Sequence, residues 1–182
     1  MRASAVSAFF PRLWILGAIL LAGCARSERR MVEVAAYCGC GECCGWERGR
    51  GRRLKLNFWN RYVSEGPRKG EPYSGRTASG AKPRQCDPGL FSADSVRRPW
   101  MIPLRIAFFP WLMFPQSGTI AADTRCYPFG ARIVVPGYGR GIVEDRGSAI
   151  RGPDRLEVFF RSHCRARQWG RRRVEVEIRR RE

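Results

Sequence analysis

Residues 118–160 read GTIAADTRCYPFGARIVVPGYGRGIVEDRGSAIRGPDRLEVFF. Three acids sit here in apolar settings. Asp123 follows Ile120-Ala121-Ala122, Asp145 follows Ile142-Val143-Glu144, and Glu157 precedes Val158-Phe159-Phe160. Between them lie Pro128-Phe129-Gly130, Pro136-Gly137-Tyr138-Gly139 and Gly147, which are residues of tight turns. Short apolar strands that deliver acids to their ends, separated by turns, predict a small β-barrel with a carboxylate-lined groove. Leu156 and Val158 are expected on one face of their strand, with Glu157 and Phe159 on the other.

The motifs continue on both sides. Glu144-Asp145-Arg146-Gly147-Ser148-Ala149-Ile150-Arg151-Gly152 follows the Pro-Gly-Tyr-Gly turn. Ala166-Arg167-Gln168-Trp169-Gly170 leads into the alternating strand Val174–Ile178, and Ser162–Gly170 fits a short helix. Upstream, Val32–Tyr37 reads as a first strand and Thr77-Ala78-Ser79-Gly80 as a turn or strand start. In this order the motifs resemble the three-aspartate (3D) domain, a double-psi β-barrel shared with the membrane-bound lytic transglycosylase A of bacterial cell walls. The resemblance implies a mainly β fold: a six-stranded double-psi barrel with a short helix and long loops. It departs from the family in its third acid, Glu157, where the family has aspartate. One extra residue in Gly152-Pro153-Asp154-Arg155 offers Asp154 as an alternative for that position, and the register of Leu156 and Val158 favours Glu157.

The resemblance also implies a chemistry. A lytic transglycosylase cleaves a glycosidic bond with one carboxyl that acts first as acid, then as base, while the sugar's own 6-hydroxyl attacks. A hydrolase normally needs two carboxylates. Such an acid must hold its proton near neutral pH, and apolar neighbours or a second carboxylate provide for that. The resemblance places the acid at Glu157, with Asp145 as the supporting carboxylate and Asp123 mainly holding turns and groove geometry. Glutamate carries the carboxyl about 1.5 Å further from the backbone than aspartate, and catalysis responds to displacements of that size. Peptidoglycan glycan strands are the expected partner, and no cofactor is expected. A non-catalytic module that binds peptidoglycan or a partner is the competing reading.

The whole chain has 182 residues, enough for one domain with a real core. A basic start, the apolar run Leu13–Leu21 and Leu21-Ala22-Gly23-Cys24 resemble a lipoprotein signal. Residues 1–23 are then a signal peptide, Cys24 carries lipid, 24–31 form a tether and 32–182 form the barrel domain. Expected with this are a membrane anchor through the N-terminal lipid and a place in the bacterial envelope, on the periplasmic face of the outer membrane. The net charge of +18 suits an anionic polymer or surface. Nucleic acid is the usual partner of such charge, and the export signal argues against it.

Two segments remain. Residues 46–76 are rich in Arg, Gly and Lys and read as a surface loop with at most one short helix near 54–64. Residues 85–117 are an apolar insertion whose prolines forbid a continuous spanning helix. Of eight cysteines, Cys24 is set aside for lipid. Cys38, Cys40, Cys43 and Cys44 fall within seven residues and admit two readings, a tetrahedral zinc or disulfides within the cluster or out to Cys86, Cys126 and Cys164. The export signal favours disulfides. His163, the only histidine, is assigned a structural role on an exposed turn.

Overall fold

The computed structural model describes residues 27–49, 57–89, 99–108 and 114–179. The expected signal peptide (residues 1–23), Cys24 and parts of both long loops lie outside the described residues. Six strands close a barrel: β1 (Ser27–Cys38), β4 (Gly118–Ala122), β5 (Arg132–Val135), β6 (Gly139–Asp145), β7 (Arg155–Phe160) and β8 (Arg172–Arg179). Around the ring the order is β1-β7-β4-β6-β5-β8. Two of the neighbouring pairs, β1 with β7 and β4 with β6, are parallel. The long β1 closes the ring, because it pairs with β7 on one side and β8 on the other.

Alternation in sequence becomes alternation across the barrel wall. Val32, Val34, Ile133, Val135, Leu156, Val158, Val176 and Ile178 point inward and are essentially inaccessible. Each such side chain contributes roughly 1.5–3 kcal/mol by burial. Helix α3 (His163–Trp169) brings Trp169 against Tyr138 and Phe160 beside this core. The β5–β6 turn needs its glycines. Gly139 has φ of 110°, and a Cβ there would stand 2.6 Å from the sulfur of Cys86.

Three elements differ from expectation. The first strand begins at Ser27 rather than Val32, so residues 27–31 of the expected tether pair with β8. That end of the ladder is polar and largely exposed, so no apolar alternation marks it. Within the segment 46–76, expected as a surface loop, β3 (Arg61–Val63) pairs with β2 (Trp46–Arg48) in a separate two-stranded sheet. Arg61 lies over the Trp46 ring at 4.5 Å, and Tyr73 stacks with Trp46 at a centroid distance of 5.9 Å. Those contacts are made between distant residues, which local propensity does not report. The insertion contains a helix, α2 (Met101–Phe108), with Pro103 in the first turn where proline is tolerated. None of the barrel strands comes from 85–117. The backbones of Asp87 and Gln116 exchange hydrogen bonds of 3.0 and 2.8 Å and close the neck of this excursion.

Candidate functional site

The site is built on the outer wall of the barrel. Strand β4 lies between β6 and β7, and Ala121 is opposite Asp145 on one side and Glu157 on the other. Glu157 reaches this face by simple alternation, since Leu156 and Val158 fill the interior. Asp145 does not. Val143 points inward, so regular alternation would turn Asp145 inward too. A register shift between Ile120 and Ala121 passes over Glu144 and sets Asp145 opposite Ala121. The irregularity re-aims the carboxylate, a frequent use of bulges. With strands about 4.8 Å apart, the two acid backbones stand roughly 10 Å apart, and the small Ala121 leaves the space between them open.

Both acids line one cleft of about 770 Å³, together with Tyr37, Ala121, Cys44, Tyr73, Arg76 and the Arg146–Ala149 turn. A small outer cluster of Tyr37, Ala121, Ile150 and Phe159 packs beneath it, with Tyr37 and Phe159 edge to face at 5.4 Å. Asp145 is held from three directions. The Tyr37 hydroxyl donates to Oδ2 at 2.9 Å, and the amides of Ala78 and Arg146 each donate to Oδ1 at 2.9 Å. Burial first, then the neighbouring Asp145, pushes the Tyr37 phenol far above its ordinary range, so it remains a donor. The Thr77–Gly80 turn thus reaches the site through its backbone: Ala78 binds Asp145, and the Ser79 amide donates to the Glu144 carbonyl at 3.0 Å.

Glu157 is half-buried. Burial raises its carboxyl above the ordinary glutamate value, Arg171 opposes this, and Asp145 raises it further. The arrangement therefore contains one carboxyl biased toward its protonated form beside a second that is tightly oriented. Asp123 is elsewhere. It is buried at the end of β4, is not among the residues lining the cleft, and accepts from the Arg125 guanidinium at 3.0 and 2.7 Å and from the Gly152 amide at 2.9 Å. The Arg125 side chain, then the Gly152 and Arg125 amides, hold it well below the usual carboxylate range. These contacts tie the β4 end to the loop before β7. Asp154, the alternative third acid, is exposed and pairs with Arg30 at 2.9 Å.

The cysteines divide differently from their spacing. Cys38, Cys40 and Cys43 converge, whereas the Cys44 sulfur turns to the Cys38 carbonyl at 3.1 Å and toward the cleft. His163 takes the fourth place, its Nδ1 3.4–3.7 Å from all three sulfurs. It is the first residue of α3 rather than a turn residue. No disulfide joins the described cysteines. The adjacent Cys38 and Cys43 sulfurs are 3.7 Å apart. The contribution of His163 is invisible in the sequence because 120 residues separate it from Cys43.

Part of this chain is similar to known proteins. Residues 118–179 match the family model of the 3D domain, and this segment of the chain is a 3D domain. Two proteins of Bacillus subtilis (strain 168) are similar to it. YabE, named for cell wall shaping, is 39% identical over 64 residues, covering 35% of this chain and 16% of YabE. YocH, named as a cell wall-binding protein, is 36% identical over 64 residues, covering 35% of this chain and 22% of YocH. The shared part is thus about a third of this chain and a smaller fraction of either relative.

Proposed function

We propose that this protein acts on the peptidoglycan of the cell envelope, cleaving the O-glycosidic bond of glycan strands by transglycosylation. The observation that carries the reading is the pairing of Glu157 and Asp145 across Ala121 in one open cleft. Glu157 donates its proton to the leaving glycosidic oxygen as the bond to the anomeric carbon breaks. Asp145 stabilises the positive charge that develops on the sugar. Glu157, now a carboxylate, accepts the proton of the sugar's 6-hydroxyl as that oxygen attacks the anomeric carbon, closing a 1,6-anhydro ring and restoring the acid. Arg76 and Arg146 on the cleft wall suit the carboxylates of the stem peptides. The names of YabE and YocH support the substrate class. Anchorage through a lipid on Cys24 at the periplasmic face of the outer membrane completes the proposal. An unmodified Cys24 in protein from the envelope would remove that part.

A second reading is a cell wall-binding barrel without turnover. The name of YocH favours it, as does the glutamate in place of the family's aspartate. Purified protein is incubated with peptidoglycan sacculi and the soluble muropeptides are identified by mass spectrometry. Anhydro-muropeptides are expected. Ordinary reducing ends would replace transglycosylation by hydrolysis. Absence of any product, with protein that still sediments on sacculi, would establish the binding reading.

A further inference from the structure

The geometry points to a structural zinc site formed by Cys38, Cys40, Cys43 and His163, beside the cleft and separate from its acids. Their ligand atoms all lie within 4.8 Å of one another. Tetrahedral zinc with Zn–S near 2.3 Å and Zn–N near 2.05 Å sets sulfur–sulfur edges of about 3.8 Å and sulfur–nitrogen edges of about 3.6 Å. The corresponding distances here are 3.7 Å for Cys38 to Cys43, and 3.6, 3.4 and 3.7 Å from His163 Nδ1 to Cys38, Cys40 and Cys43. A ring nitrogen that faces three sulfurs at these spacings is the donor set of a closed zinc site. Disulfide pairing would leave one of the three sulfurs over and has no use for the imidazole.

A second observation is independent of the sulfurs. The far nitrogen of the ring, His163 Nε2, is 3.2 Å from Glu42 Oε2. A ligating histidine commonly donates its other N–H to a carboxylate, which fixes the tautomer that presents a lone pair to the metal. Glu42 lies in α1 (Gly41–Cys44), between Cys40 and Cys43, so one short segment supplies two thiols and the group that orients the imidazole. Four protein ligands leave no open position, so the metal is structural rather than catalytic. It ties the end of β1 and helix α1 to the start of α3. Gly41, Glu42 and Cys43 also form part of the cleft wall, so the metal fixes that wall.

The site is independent of whether the cleft cleaves glycan. The full chain is purified under reducing conditions and its metal content measured, then zinc is exchanged for cobalt(II) and the visible spectrum recorded. One equivalent of zinc and the intense absorption of tetrahedral, thiolate-ligated cobalt are expected. Cys40→Ser and His163→Ala lower the stoichiometry or shift the cobalt bands, while Cys44→Ser leaves both unchanged. Glu42→Gln removes no ligand atom but alters the partner of the His163 ring; it weakens zinc about 10–100-fold in chelator competition, which keeps the test valid if a ligand variant fails to fold. Reduced wild-type protein that takes up no zinc from an equimolar solution would overturn the site. So would loss of metal in Cys44→Ser equal to that in Cys40→Ser.

Discussion

Tyr37→Phe removes one oxygen from the floor of the cleft and tests how Asp145 is held. The ring should stay in place, because its edge-to-face contact with Phe159 and its burial do not involve the hydroxyl. What is lost is the 2.9 Å hydrogen bond to Asp145 Oδ2. A hydrogen bond to a charged group contributes about 1.5–3 kcal/mol, and with the ring contacts intact that is the expected loss of stability. Oδ1 keeps its two amide donors from Ala78 and Arg146, so Asp145 should remain in the cleft but rotate more freely. Urea unfolding of wild type, Tyr37→Phe, Asp145→Ala and the double variant measures the pair directly. The coupling energy should be about 1.5–3 kcal/mol, with denaturant slopes unchanged. Additive single effects, with coupling below about 0.5 kcal/mol, would refute the argument that the phenol orients this carboxylate. If the cleft is catalytic, loosening Asp145 by a fraction of an ångström should also cost up to about 100-fold in turnover.

Two further outcomes follow from the same geometry. Glu157→Gln should lower glycan cleavage by about 10²–10⁴-fold without loss of stability at neutral pH. Because the folded pKa of Glu157 lies above its unfolded value, the group favours the fold below the unfolded pKa. That contribution disappears as pH rises through the folded pKa, so wild type should lose stability over this window relative to Glu157→Gln. A pH-independent difference in paired urea titrations would contradict the burial assigned to this carboxyl. Removal of residues 88–114 should leave a cooperatively unfolding barrel, since the Asp87–Gln116 neck already brings the ends together. Loss of the unfolding transition would show that the insertion is part of the barrel core.

Much of the barrel was legible in the chain because its signals are local. Leu156 and Val158 alternate with Glu157 and Phe159, and the Pro-Gly-Tyr-Gly turn separates β5 from β6. The short helix before the last strand is marked by Ala166 and Trp169, which it buries. The start of β1 was not legible, because Ser27–Met31 is held by backbone pairing to β8 and buries almost nothing that a hydropathy pattern registers. Nor was β3, whose place depends on Trp46 and Tyr73 from other parts of the chain.

The sequence by itself determined which acids were available, the inward face of each core strand, and the turns between them, because side-chain period and turn chemistry act over a few residues. Only the tertiary structure decided which acids meet. The shift that turns Asp145 toward Glu157 is a property of the pairing between β4 and β6, and a one-residue offset between strands leaves no mark in either strand alone. The same holds for Asp123, which its partners Arg125 and Gly152 hold outside the cleft, and for His163, which takes the place beside the sulfurs that spacing had given to Cys44. Such groupings depend on contacts between residues far apart in the chain, and those distances are set only when the barrel closes.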